Sequence, residues 1–523
     1  MTAPLLSVEG LSLTIQGTPI LRDVALTLAP GETLGLVGES GSGKSMTALA
    51  ATGLLPRGAR MRGAIRLDGT DLTALPERDW LRIRGADVAM IFQEPTLALN
   101  PVHTIGAQVA ETLRIRGTPR AQARRIARER LDRVGLAGVP ADRYPHELSG
   151  GQRQRVCIAM AIACRPRLLI ADEPTTALDV TTQARILDLL RDLSRDEGMA
   201  LLLITHDLGV VADMADRVAV MKDGRIVEDG PTAAVLGAPR EEYTRDLLAA
   251  SRPAPRPART IAPEPVLEAR SVTRRYGGFT AVSDVSLTLH RGESLGLVGE
   301  SGCGKSTLTR ALLGLEPVQD GSVHLMGRPG GTAMTRADRA RISVVFQDPY
   351  GSFDPRWPIR RIVSEPFHLT GRPPDAEARI TTALEQVGLS AADLTKYPHE
   401  FSGGQRQRIA IARALVTNPD VVVLDEAVSA LDVRVRARVL ALLADLQDRL
   451  GLAYLFISHD LGVVRALCDR VLVMRGGRIV EAGRTADLFD APETDYTREL
   501  IAATPAIPHE RPRRMPHDRP ALV

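Results

Sequence analysis

The sequence predicts an α/β protein in which one fold occurs twice along the chain. Residues 145–155 read PHELSGGQRQR, and nearly the same letters return as PHEFSGGQRQR at residues 398–408. Each half also has the pattern G-x-x-x-x-G-K-S directly after a short apolar run, and a later apolar run that ends in Asp-Glu. A repeat of this length indicates a duplicated domain and not the short unit of a solenoid.

Length and composition are typical of a globular protein with more than one domain. A chain of 523 residues is too long for one hydrophobic core. Its 44% hydrophobic and 25% charged residues are ordinary values, and a net charge of +3 is too small to indicate nucleic-acid binding by itself. We find no apolar run near the ~18–20 residues of a membrane span, and the N-terminus, MTAPLLSVEG, shows no secretory signal.

The four cysteines, at positions 157, 164, 303 and 468, form no CxxC pair and no metal-ligand spacing. Cys157 and Cys164 lie in an apolar helical run, where packing in the core is the expected role. This cysteine usage fits a reducing cytoplasm.

Composition shifts predict the domain boundaries. We expect a first domain over residues 1–250, a linker over 251–265, a second domain over 266–502 and a disordered tail over 503–523. The linker, SRPAPRPARTIAPEP, lacks periodicity and is rich in Pro, Ala and Arg, which indicates a semi-rigid connector that reaches at most ~45 Å. The tail is also rich in Pro and Arg.

The first half opens with strands and a phosphate-binding loop. Residues 5–37 alternate apolar and polar side chains, as half-buried antiparallel strands do, and residues 33–37 form a buried strand. The next eight residues read GESGSGKS and lead into a helix-forming segment. In such a loop the glycines let backbone N–H groups wrap a phosphate, the lysine reaches the β- and γ-phosphates, and the serine hydroxyl can bind Mg²⁺. The residues assigned to this role are Gly38, Gly41, Gly43, Lys44 and Ser45.

A strand at residues 88–92 ends at Gln93, and the segment 104–134 has a helical pattern rich in arginine. Its arginines could contact lipid headgroups or an acidic partner loop. They could equally form a solvated helix face, because Glu129 and Asp132 interrupt the run. Both interpretations stay open at the level of the sequence.

The repeated stretch places Ser149, Gly150 and Gly151 at the start of a helical run that reaches about Ala163. A small N-cap hydroxyl, glycines that allow close backbone approach and free N–H groups suit a phosphate-binding helix N-terminus. Similar turns without a ligand are common, so this stretch indicates phosphate binding only together with the other motifs that repeat with it.

A buried strand at residues 167–171 delivers Asp172 and Glu173 at its end. One carboxylate can hold Mg²⁺ there, and its neighbour can polarise an attacking water. A further strand at residues 200–204 ends next to His206, a position that favours a functional histidine in a nucleotide-binding fold.

The second half repeats this order. Its strand at residues 294–298 leads into GESGCGKS at residues 299–306. The residues equivalent to those above are Gly299, Gly302, Gly304, Lys305, Ser306, Gln347, Ser402, Gly403, Gly404, Asp425, Glu426, Asp432 and His459.

Six elements in this fixed order, present twice, resemble the ATP-binding cassette (ABC) ATPases over almost all of residues 5–500. The resemblance implies two tandem P-loop NTPase cassettes, each with a RecA-like core, an antiparallel β subdomain and a helical signature subdomain. It also implies that the cassettes meet head to tail. Each ATP, with its Mg²⁺, would lie between the phosphate loop of one half and the SGG stretch of the other.

Under this resemblance the residues form two composite sites. One would use Lys44, Ser45, Gln93, Asp172, Glu173 and His206, closed by Ser402, Gly403 and Gly404. The other would use Lys305, Ser306, Gln347, Asp425, Glu426 and His459, closed by Ser149, Gly150 and Gly151. The Mg²⁺ ligands would be Ser45, Gln93 and Asp172 in one site and Ser306, Gln347 and Asp425 in the other.

The resemblance also implies a role for each side chain. Glu173 and Glu426 would be the general bases, and His206 and His459 would contact the γ-phosphate. Asp179 and Asp432 would communicate across the interface.

Several longer segments resemble those of the oligopeptide and dipeptide importer ATPases. The matching segments are FQEPTLALNP, YPHELSGGQRQR, ITHDLGVV and EEYTRDLLAA in the first half, with FQDPYGSFDP, YPHEFSGGQRQR, ISHDLGVV and TDYTRELIAA in the second. The resemblance implies two permease subunits and an extracytoplasmic solute-binding protein as partners, and a peripheral position on the cytoplasmic face of the inner membrane. Residues beside Gln93 and Gln347 would receive the coupling helices of the permease. Peptide, nickel, opine and glutathione all remain possible as the solute.

Some positions depart from the family pattern. Cassettes usually stack an aromatic side chain on adenine, and Tyr276 fits that role in the second half, whereas Ile15 is the aligned residue in the first. We therefore expect weaker ATP affinity at the Lys44 site. Ala427 replaces the proline seen as Pro174, which we expect to affect local rigidity more than chemistry. No cysteine follows Cys468, so we expect no iron–sulfur cluster in the C-terminal region.

Cys303 stands where the first half has Ser42. Its place inside the phosphate loop predicts that alkylation blocks one site selectively.

A second hypothesis is a cytosolic tandem cassette ATPase that acts on ribosomes or nucleic acid. Such proteins typically carry a long charged linker, whereas the connector here is short and rich in proline. Fractionation separates the two hypotheses, since an importer ATPase binds membranes only with its permease and the alternative sediments with ribosomes.

Overall fold

The computed structural model describes residues 3–176, 178–429 and 431–507. They form two compact units. Unit 1 contains residues 3–176, 178, 182–251 and 505–507, and unit 2 contains residues 179–181, 252–429 and 431–504.

The described residues between 3 and 251 contain ten strands and ten α-helices. The strands are β1 (Leu6–Ile15), β2 (Thr18–Leu28), β3 (Thr33–Val37), β4 (Ala59–Leu67), β5 (Thr70–Asp71), β6 (Val88–Ile91), β7 (Leu168–Asp172), β8 (Ala200–Ile204), β9 (Arg217–Lys222) and β10 (Arg225–Pro231). The helices are α1 (Lys44–Ala51), α2 (Glu77–Ile83), α3 (Pro95–Ala98), α4 (Ile105–Arg114), α5 (Arg120–Arg133), α6 (Gly150–Ala161), α7 (Val180–Glu197), α8 (Leu208–Met214), α9 (Thr232–Gly237) and α10 (Glu242–Ser251).

Two sheets organise these elements. Strands β2, β1, β4 and β5, in that order, form an antiparallel sheet. The second sheet has the order β10-β9-β3-β8-β7-β6 and is parallel except for its edge strand β10. Every residue of β3, β7 and β8 is buried, which explains their continuous apolar runs, because a parallel sheet is covered on both faces. The carboxyl ends of these three neighbouring strands meet at one edge, where ligands bind in open α/β sheets.

Residues 104–134 form two helices, α4 and α5, and not one continuous helix. Gly117 adopts a left-handed φ of 85°, and Pro119 is the N-cap of α5, so the intervening residues interrupt the helical hydrogen bonds. Several of the arginines on α5 form ion pairs. These pairs are Arg125–Glu129 at 2.7 Å, Arg130–Glu197 at 3.1 Å and Arg133–Asp196 at 2.6 Å.

Residues 252–507 repeat the arrangement. The strands are β11 (Pro265–Tyr276), β12 (Phe279–His290), β13 (Ser294–Val298), β14 (Asp320–Leu325), β15 (Arg328–Pro329), β16 (Ile342–Val345), β17 (Val421–Asp425), β18 (Ala453–Ile457), β19 (Arg470–Arg475) and β20 (Arg478–Arg484). The helices are α11 (Lys305–Leu312), α12 (Arg336–Arg339), α13 (Ile359–Ser364), α14 (Phe367–Thr370), α15 (Ala376–Gln386), α16 (Gly403–Leu415), α17 (Val433–Leu450), α18 (Leu461–Leu467), α19 (Thr485–Asp490) and α20 (Asp495–Ala503). The sheets have the orders β12-β11-β14-β15 and β16-β17-β18-β13-β19-β20.

The predicted linker packs on unit 2 from Arg256 onward. The Arg256 side chain is only 8% exposed, donates to the carbonyl of Leu467, and has its Nε 3.7 Å from Asp469 Oδ1. Arg259 Nη2 lies 2.9 Å from Asp448 Oδ1. These contacts tie the second part of the connector to the ends of α17 and α18.

Of the tail predicted to be disordered, residues 508–523 lie outside the described residues. Ile507 is described, is 6% exposed and packs against the core of unit 1 that contains Val37 and Leu247. None of the helices in the described part of the chain is long and apolar enough to cross a membrane.

Candidate functional site

The phosphate loop of unit 1 connects β3 to α1 and holds Lys44 in a buried position. The lysine is 6% exposed, and its Nζ donates to the carbonyl oxygens of Gly38 at 2.8 Å and Glu39 at 2.9 Å. In unit 2, Lys305 is also 6% exposed, and its Nζ donates to Gly299 at 2.7 Å and Glu300 at 2.8 Å. The two loops therefore fold the same way around their lysines.

Close backbone contacts explain the first glycine of each loop. Gly38 and Gly299 both have a φ of 155°, and a Cβ at either position would lie 2.2 Å from a carbonyl oxygen, that of Met221 or Met474. A side chain there would force the loop away from the neighbouring strand end.

The acidic pair follows strand β7 in unit 1. Asp172 ends the strand and is 5% exposed, and Glu173 has a positive φ of 48°. In unit 2, Glu426 follows β17 with a φ of 49°. A positive φ strains the backbone of a non-glycine residue, and residues strained in this way are common at functional sites.

Three side chains hold the Glu173 carboxylate. Gln93 Nε2 donates to Oε2 at 3.0 Å, Thr176 Oγ1 donates to Oε2 at 2.8 Å, and His206 Nδ1 lies 3.1 Å from Oε1. Burial raises the pKa of Glu173, but the hydrogen bond and charge of His206, with smaller contributions from Thr176 and Lys44, lower the pKa to about 2. Glu173 is therefore ionised at neutral pH and can accept a hydrogen bond from water.

The equivalent carboxylate in unit 2 has fewer partners. His459 Nδ1 lies 3.3 Å from Glu426 Oε1, whereas Ser429 Oγ donates to the backbone carbonyl of Glu426 at 2.9 Å. Among the described residues, no hydrogen bond joins Gln347 to Glu426. Burial raises the pKa of Glu426, and the hydrogen bond and charge of His459 outweigh it, so the net pKa is lowered. Burial lowers the pKa of His459, but the hydrogen bond and charge of Glu426 raise it by more, so the net pKa is raised.

The donor set beside Lys44 fits a hard cation. The Oδ1 atom of Asp172 is buried and has no hydrogen-bond partner among the described residues, and burial raises the pKa of this carboxyl while the Ser45 hydroxyl partly offsets the effect. Burial and the charge of Glu426 raise the pKa of Asp425 in the same way. A cation beside each aspartate would relieve this cost, and carboxylate and hydroxyl oxygens are ligands that Mg²⁺ accepts. No three acidic, histidine or cysteine side chains converge on a metal-sized site within the described ranges.

The SGG stretches begin helices α6 and α16. Ser149 Oγ accepts from the Gln152 N–H at 3.3 Å, and Gln152 Oε1 accepts from the Ser149 N–H at 3.0 Å. Ser402 and Gln405 make the same reciprocal cap at 3.4 and 3.0 Å. Within either unit, the described hydrogen bonds do not join these serines to the phosphate loop or the acidic pair.

The two glycines of each stretch have different surroundings. A Cβ on Gly151 would lie 2.5 Å from Thr182 Cγ2, and one on Gly404 would lie 2.3 Å from Val435 Cγ1. A Cβ on Gly150 would make an ordinary contact at 3.5 Å, and one on Gly403 would meet nothing within 4 Å. The second glycine therefore permits helix packing, and the first glycine is the one available for a ligand.

Tyr276 and Ile15 end strands β11 and β1. Tyr276 is 40% exposed, its hydroxyl hydrogen-bonds to Glu316, and the Arg274 guanidinium carbon lies 4.5 Å from its ring centroid. Ile15 is partly buried and packs against the core of unit 1. Of these two residues, Tyr276 is the aromatic one and is partly exposed.

The aspartates expected at the interface lie at the starts of α7 and α17. Asp432 is the N-cap of α17 and accepts from the Val435 N–H at 3.0 Å. Asp179 accepts from the Thr181 hydroxyl at 2.8 Å. Both are thus engaged in local hydrogen bonds.

Cys303 is poorly placed for the selective alkylation expected from its position in the loop. It is 8% exposed, and burial raises the pKa of its thiol despite the nearby Lys305. Alkylation needs an accessible thiolate. We expect iodoacetamide at pH 7.5 to leave Cys303 of the folded chain largely unlabelled by mass spectrometry, with a Cys303→Ser variant as the control for ATPase activity.

Comparison with known proteins agrees with this geometry. The ABC transporter family matches residues 21–176 and 282–429. The chain belongs to this family. Residues 480–522 also match the oligopeptide/dipeptide transporter C-terminal region. The protein is thus an ATPase of the oligopeptide/dipeptide transporter type.

Relatives of this ABC ATPase align along nearly their whole length. The peptidoglycan transport ATP-binding protein YejF of Agrobacterium fabrum is 49% identical over 530 residues, with 96% of each chain covered. The glutathione import ATP-binding protein GsiA of Salmonella typhimurium is 45% identical over 568 residues, with 98% of this chain and 91% of the relative covered. Among solved structures, CbiO1 of Clostridium perfringens, part of the ABC transporter complex CbiONQ, is 29% identical with a TM-score of 0.40, covering 44% of this chain and 92% of its own.

The sequence analysis did not identify three residues that contact the phosphate loops or the acidic pair of this ABC ATPase. Thr176 was not singled out, although it lies three residues after Glu173 and bonds to it. Tyr243 and Tyr496 lie in the segments EEYTRDLLAA and TDYTRELIAA, to which the sequence analysis gave no role in the sites, yet each contacts a phosphate loop. The signal that could have found the tyrosines is their recurrence at the same place in both halves.

Proposed function

We propose that this chain hydrolyses ATP to drive the import of a small peptide-like solute through a membrane permease. The observation that carries the proposal is the presence, in each unit, of a buried phosphate-loop lysine beside a paired Asp-Glu and a histidine. The names of the relatives, which concern peptidoglycan transport and glutathione import, support a solute with peptide bonds. They favour import over action on ribosomes or nucleic acid.

The proposed partners are two permease subunits and an extracytoplasmic solute-binding protein, with the chain at the cytoplasmic face of the inner membrane. The match at residues 480–522 supports this assembly, because that region belongs to oligopeptide/dipeptide transporters. Large exposed apolar side chains lie around Gln93 in unit 1, where we expect the permease to dock. They include Phe92 at 43%, Leu97 at 81% and Val102 at 72% exposure.

The proposed chemistry begins with ATP held by the phosphate loops. Lys44 and Lys305 would bind the β- and γ-phosphates, and Ser45 and Asp172, or Ser306 and Asp425, would hold Mg²⁺. Gln93 and Gln347 would complete its ligand set in the two sites. When bound, Mg²⁺ would neutralise charge on the phosphate oxygens.

Glu173 and Glu426 would orient the attacking water and accept its proton. His206 and His459 would hold these carboxylates in place and contact the γ-phosphate from the same edge of the sheet. Tyr276 would stack on adenine in one site, where Ile15 offers only an aliphatic contact in the other.

Each ATP would be closed by the SGG stretch of the other cassette. Ser402, Gly403 and Gly404 would close the Lys44 site, and Ser149, Gly150 and Gly151 would close the Lys305 site. Hydrolysis would then depend on closure, which a permease could sense through Asp179 and Asp432.

Reconstitution tests the proposed function. The chain, its permease pair and the binding protein are placed in liposomes, and ATP hydrolysis is measured with and without a peptide-loaded binding protein. We expect the loaded binding protein to stimulate hydrolysis and radiolabelled peptide to accumulate in the compartment that corresponds to the cytoplasm. Co-sedimentation of the chain with ribosomes, without recruitment to permease-containing membranes, would instead support the alternative.

A further inference from the structure

The last helix of each unit reaches back to the phosphate loop. The Tyr243 hydroxyl on α10 accepts a hydrogen bond from the Glu39 N–H at 3.2 Å. The Tyr496 hydroxyl on α20 accepts from the Glu300 N–H at 3.1 Å. Both tyrosines are buried, at 6% and 4% exposure, so neither phenol is a surface group that happens to touch the loop.

A glutamate from an edge strand holds the backbone immediately before each of these helices, including the N–H of Glu241 and of Thr494. Glu228 of β10 accepts from the Arg240 N–H at 2.8 Å, and Glu481 of β20 accepts from the Glu493 N–H at 2.9 Å. A carboxylate at this position satisfies free N–H groups and interacts favourably with the helix dipole. The helix start therefore has a defined place relative to the central sheet.

A cation covers the tyrosine ring in both units. Lys222 Nζ lies 4.9 Å from the ring centroid of Tyr243, and the Arg475 guanidinium carbon lies 4.6 Å from that of Tyr496. Lys222 and Arg475 are the last residues of β9 and β19, which pair with the strands that lead into the phosphate loops. These contacts restrict the direction in which the hydroxyl points.

The residue that each tyrosine holds also holds the lysine. The Glu39 N–H donates to Tyr243 while its carbonyl accepts from Lys44 Nζ, and Glu300 does the same between Tyr496 and Lys305. We propose that Tyr243 and Tyr496 are positioning residues for the phosphate-binding lysines. Each phenol holds the N–H of the peptide group whose carbonyl, that of Gly38 or Gly299, accepts from the ammonium group, so the C-terminal helix of each unit tunes nucleotide binding. This inference rests on the proposed role of the loops in binding ATP.

Removing the two hydroxyls tests the inference. In a Tyr243→Phe/Tyr496→Phe variant, we expect the Kd for ADP, measured by titration calorimetry on the full chain, to rise about three- to tenfold, because one neutral hydrogen bond per site is lost. The matched control is Tyr454→Phe, since the Tyr454 hydroxyl is also buried and donates to a backbone carbonyl, that of Leu443 at 3.0 Å, away from the loop. The control should lower the melting temperature without changing the Kd.

Each outcome decides the question. An ADP Kd within twofold of wild type in the double variant would overturn the inference, as would an equal loss of affinity in Tyr454→Phe, which would show a general effect of stability. A Lys44→Ala/Lys305→Ala variant separates this failure from failure of the site assignment. If that variant binds ADP like wild type, the loops themselves do not hold the phosphates.

Discussion

The phosphate loops of the two units share one geometry, whereas the side chains around them differ. Lys44 and Lys305 donate to equivalent carbonyls at 2.7–2.9 Å. Glu173, however, is held by Gln93, Thr176 and His206, while the described side-chain partner of Glu426 is His459. At the strand end where Tyr276 of unit 2 presents a partly exposed aromatic ring, unit 1 has Ile15.

This difference shows which parts of a duplicated site depend on the backbone. The loop carbonyls and the glycines beside Met221 and Met474 leave little freedom, so both copies retain them. Side-chain donors around a carboxylate can change one at a time, because each neutral hydrogen bond contributes only about 1 kcal/mol. We infer that unit 1 has the better-held carboxylate and unit 2 the better adenine contact.

The largest expected effect comes from removing both carboxylates. A Glu173→Gln/Glu426→Gln variant should lose at least ~100-fold in steady-state phosphate release, since a positioned general base contributes about that much or more. The variant should still bind ATP, because the phosphate loops are unchanged. Appreciable steady-state hydrolysis would contradict the assignment of the two general bases.

The single variants sharpen the comparison. Glu173→Gln should reduce phosphate release more than Glu426→Gln, because Glu173 is already oriented by three side chains and Glu426 by one. The reverse order would show that these hydrogen bonds restrain the carboxylate and do not prepare it for reaction.

ATP affinity should be lower at the Lys44 site, although that site has the carboxylate that is held by more side chains. With Lys305→Ala, only the Lys44 site remains, and its ATP affinity should be about tenfold weaker than that of the Lys305 site measured in Lys44→Ala. The reason is the missing aromatic stack at Ile15, which is worth about 1–3 kcal/mol in base-binding sites. Equal ATP affinities of the two sites in equilibrium titrations would contradict this effect of the aromatic stack. An Ile15→Tyr substitution should restore ATP affinity at the weaker site.

Glycines of the SGG stretch should separate packing from ligand contact. Gly404→Ala should destabilise unit 2 by about 1–3 kcal/mol in urea unfolding, because its Cβ would lie 2.3 Å from Val435 Cγ1. Gly403→Ala, whose Cβ meets nothing within 4 Å, should leave stability unchanged and reduce ATP turnover. A Gly403→Ala variant with normal turnover would contradict ligand contact at this glycine.

The smallest effect is a pH dependence at the Glu426–His459 pair. The folded pKa of His459 is raised above its usual 6.5, so its contribution to stability is fully present below that pH and is lost as the pH rises through the folded value. The pKa of Glu426 is lowered from its usual 4.5, so its contribution to stability is present above pH 4.5 and is lost only as the pH falls through the folded pKa. His459→Gln should thus cost about 1 kcal/mol more at pH 6 than at pH 9, measured by thermal unfolding.

The control for this pH effect is the same substitution in a Glu426→Gln background. Without the carboxylate, the cost of His459→Gln should no longer fall as the pH rises. An unchanged pH dependence would place its origin in another group.

Much of the fold was predictable because buried parallel strands read as short apolar runs with characteristic residues at their ends. The strand at 33–37 and its loop were predicted with the observed bounds, and Asp172 and Glu173 were expected at a strand end. The helical pattern over residues 104–134 corresponds to two helices, because Gly117 and Pro119 interrupt it. Periodicity records which side chains face the core and does not register a short break between two helices with similar faces.

Contacts between distant parts of the chain were not predictable. Thr176 lies three residues after Glu173 and bonds to its carboxylate, but Ser429, at the same place in the other half, donates its hydroxyl to the backbone carbonyl of Glu426 instead. The reactivity expected of Cys303 followed from its place in the loop and ignored its burial. Both outcomes depend on neighbours brought together by folding.

The sequence by itself determined the duplication, the order of elements and the candidate residues of the two sites, because strands, loops and caps are local. Only the tertiary structure decided how tightly each carboxylate is held, which glycine packs against a helix and which helix reaches the phosphate loop. Those features depend on distances between residues as far apart as Glu39 and Tyr243, and sequence patterns carry no information about such distances.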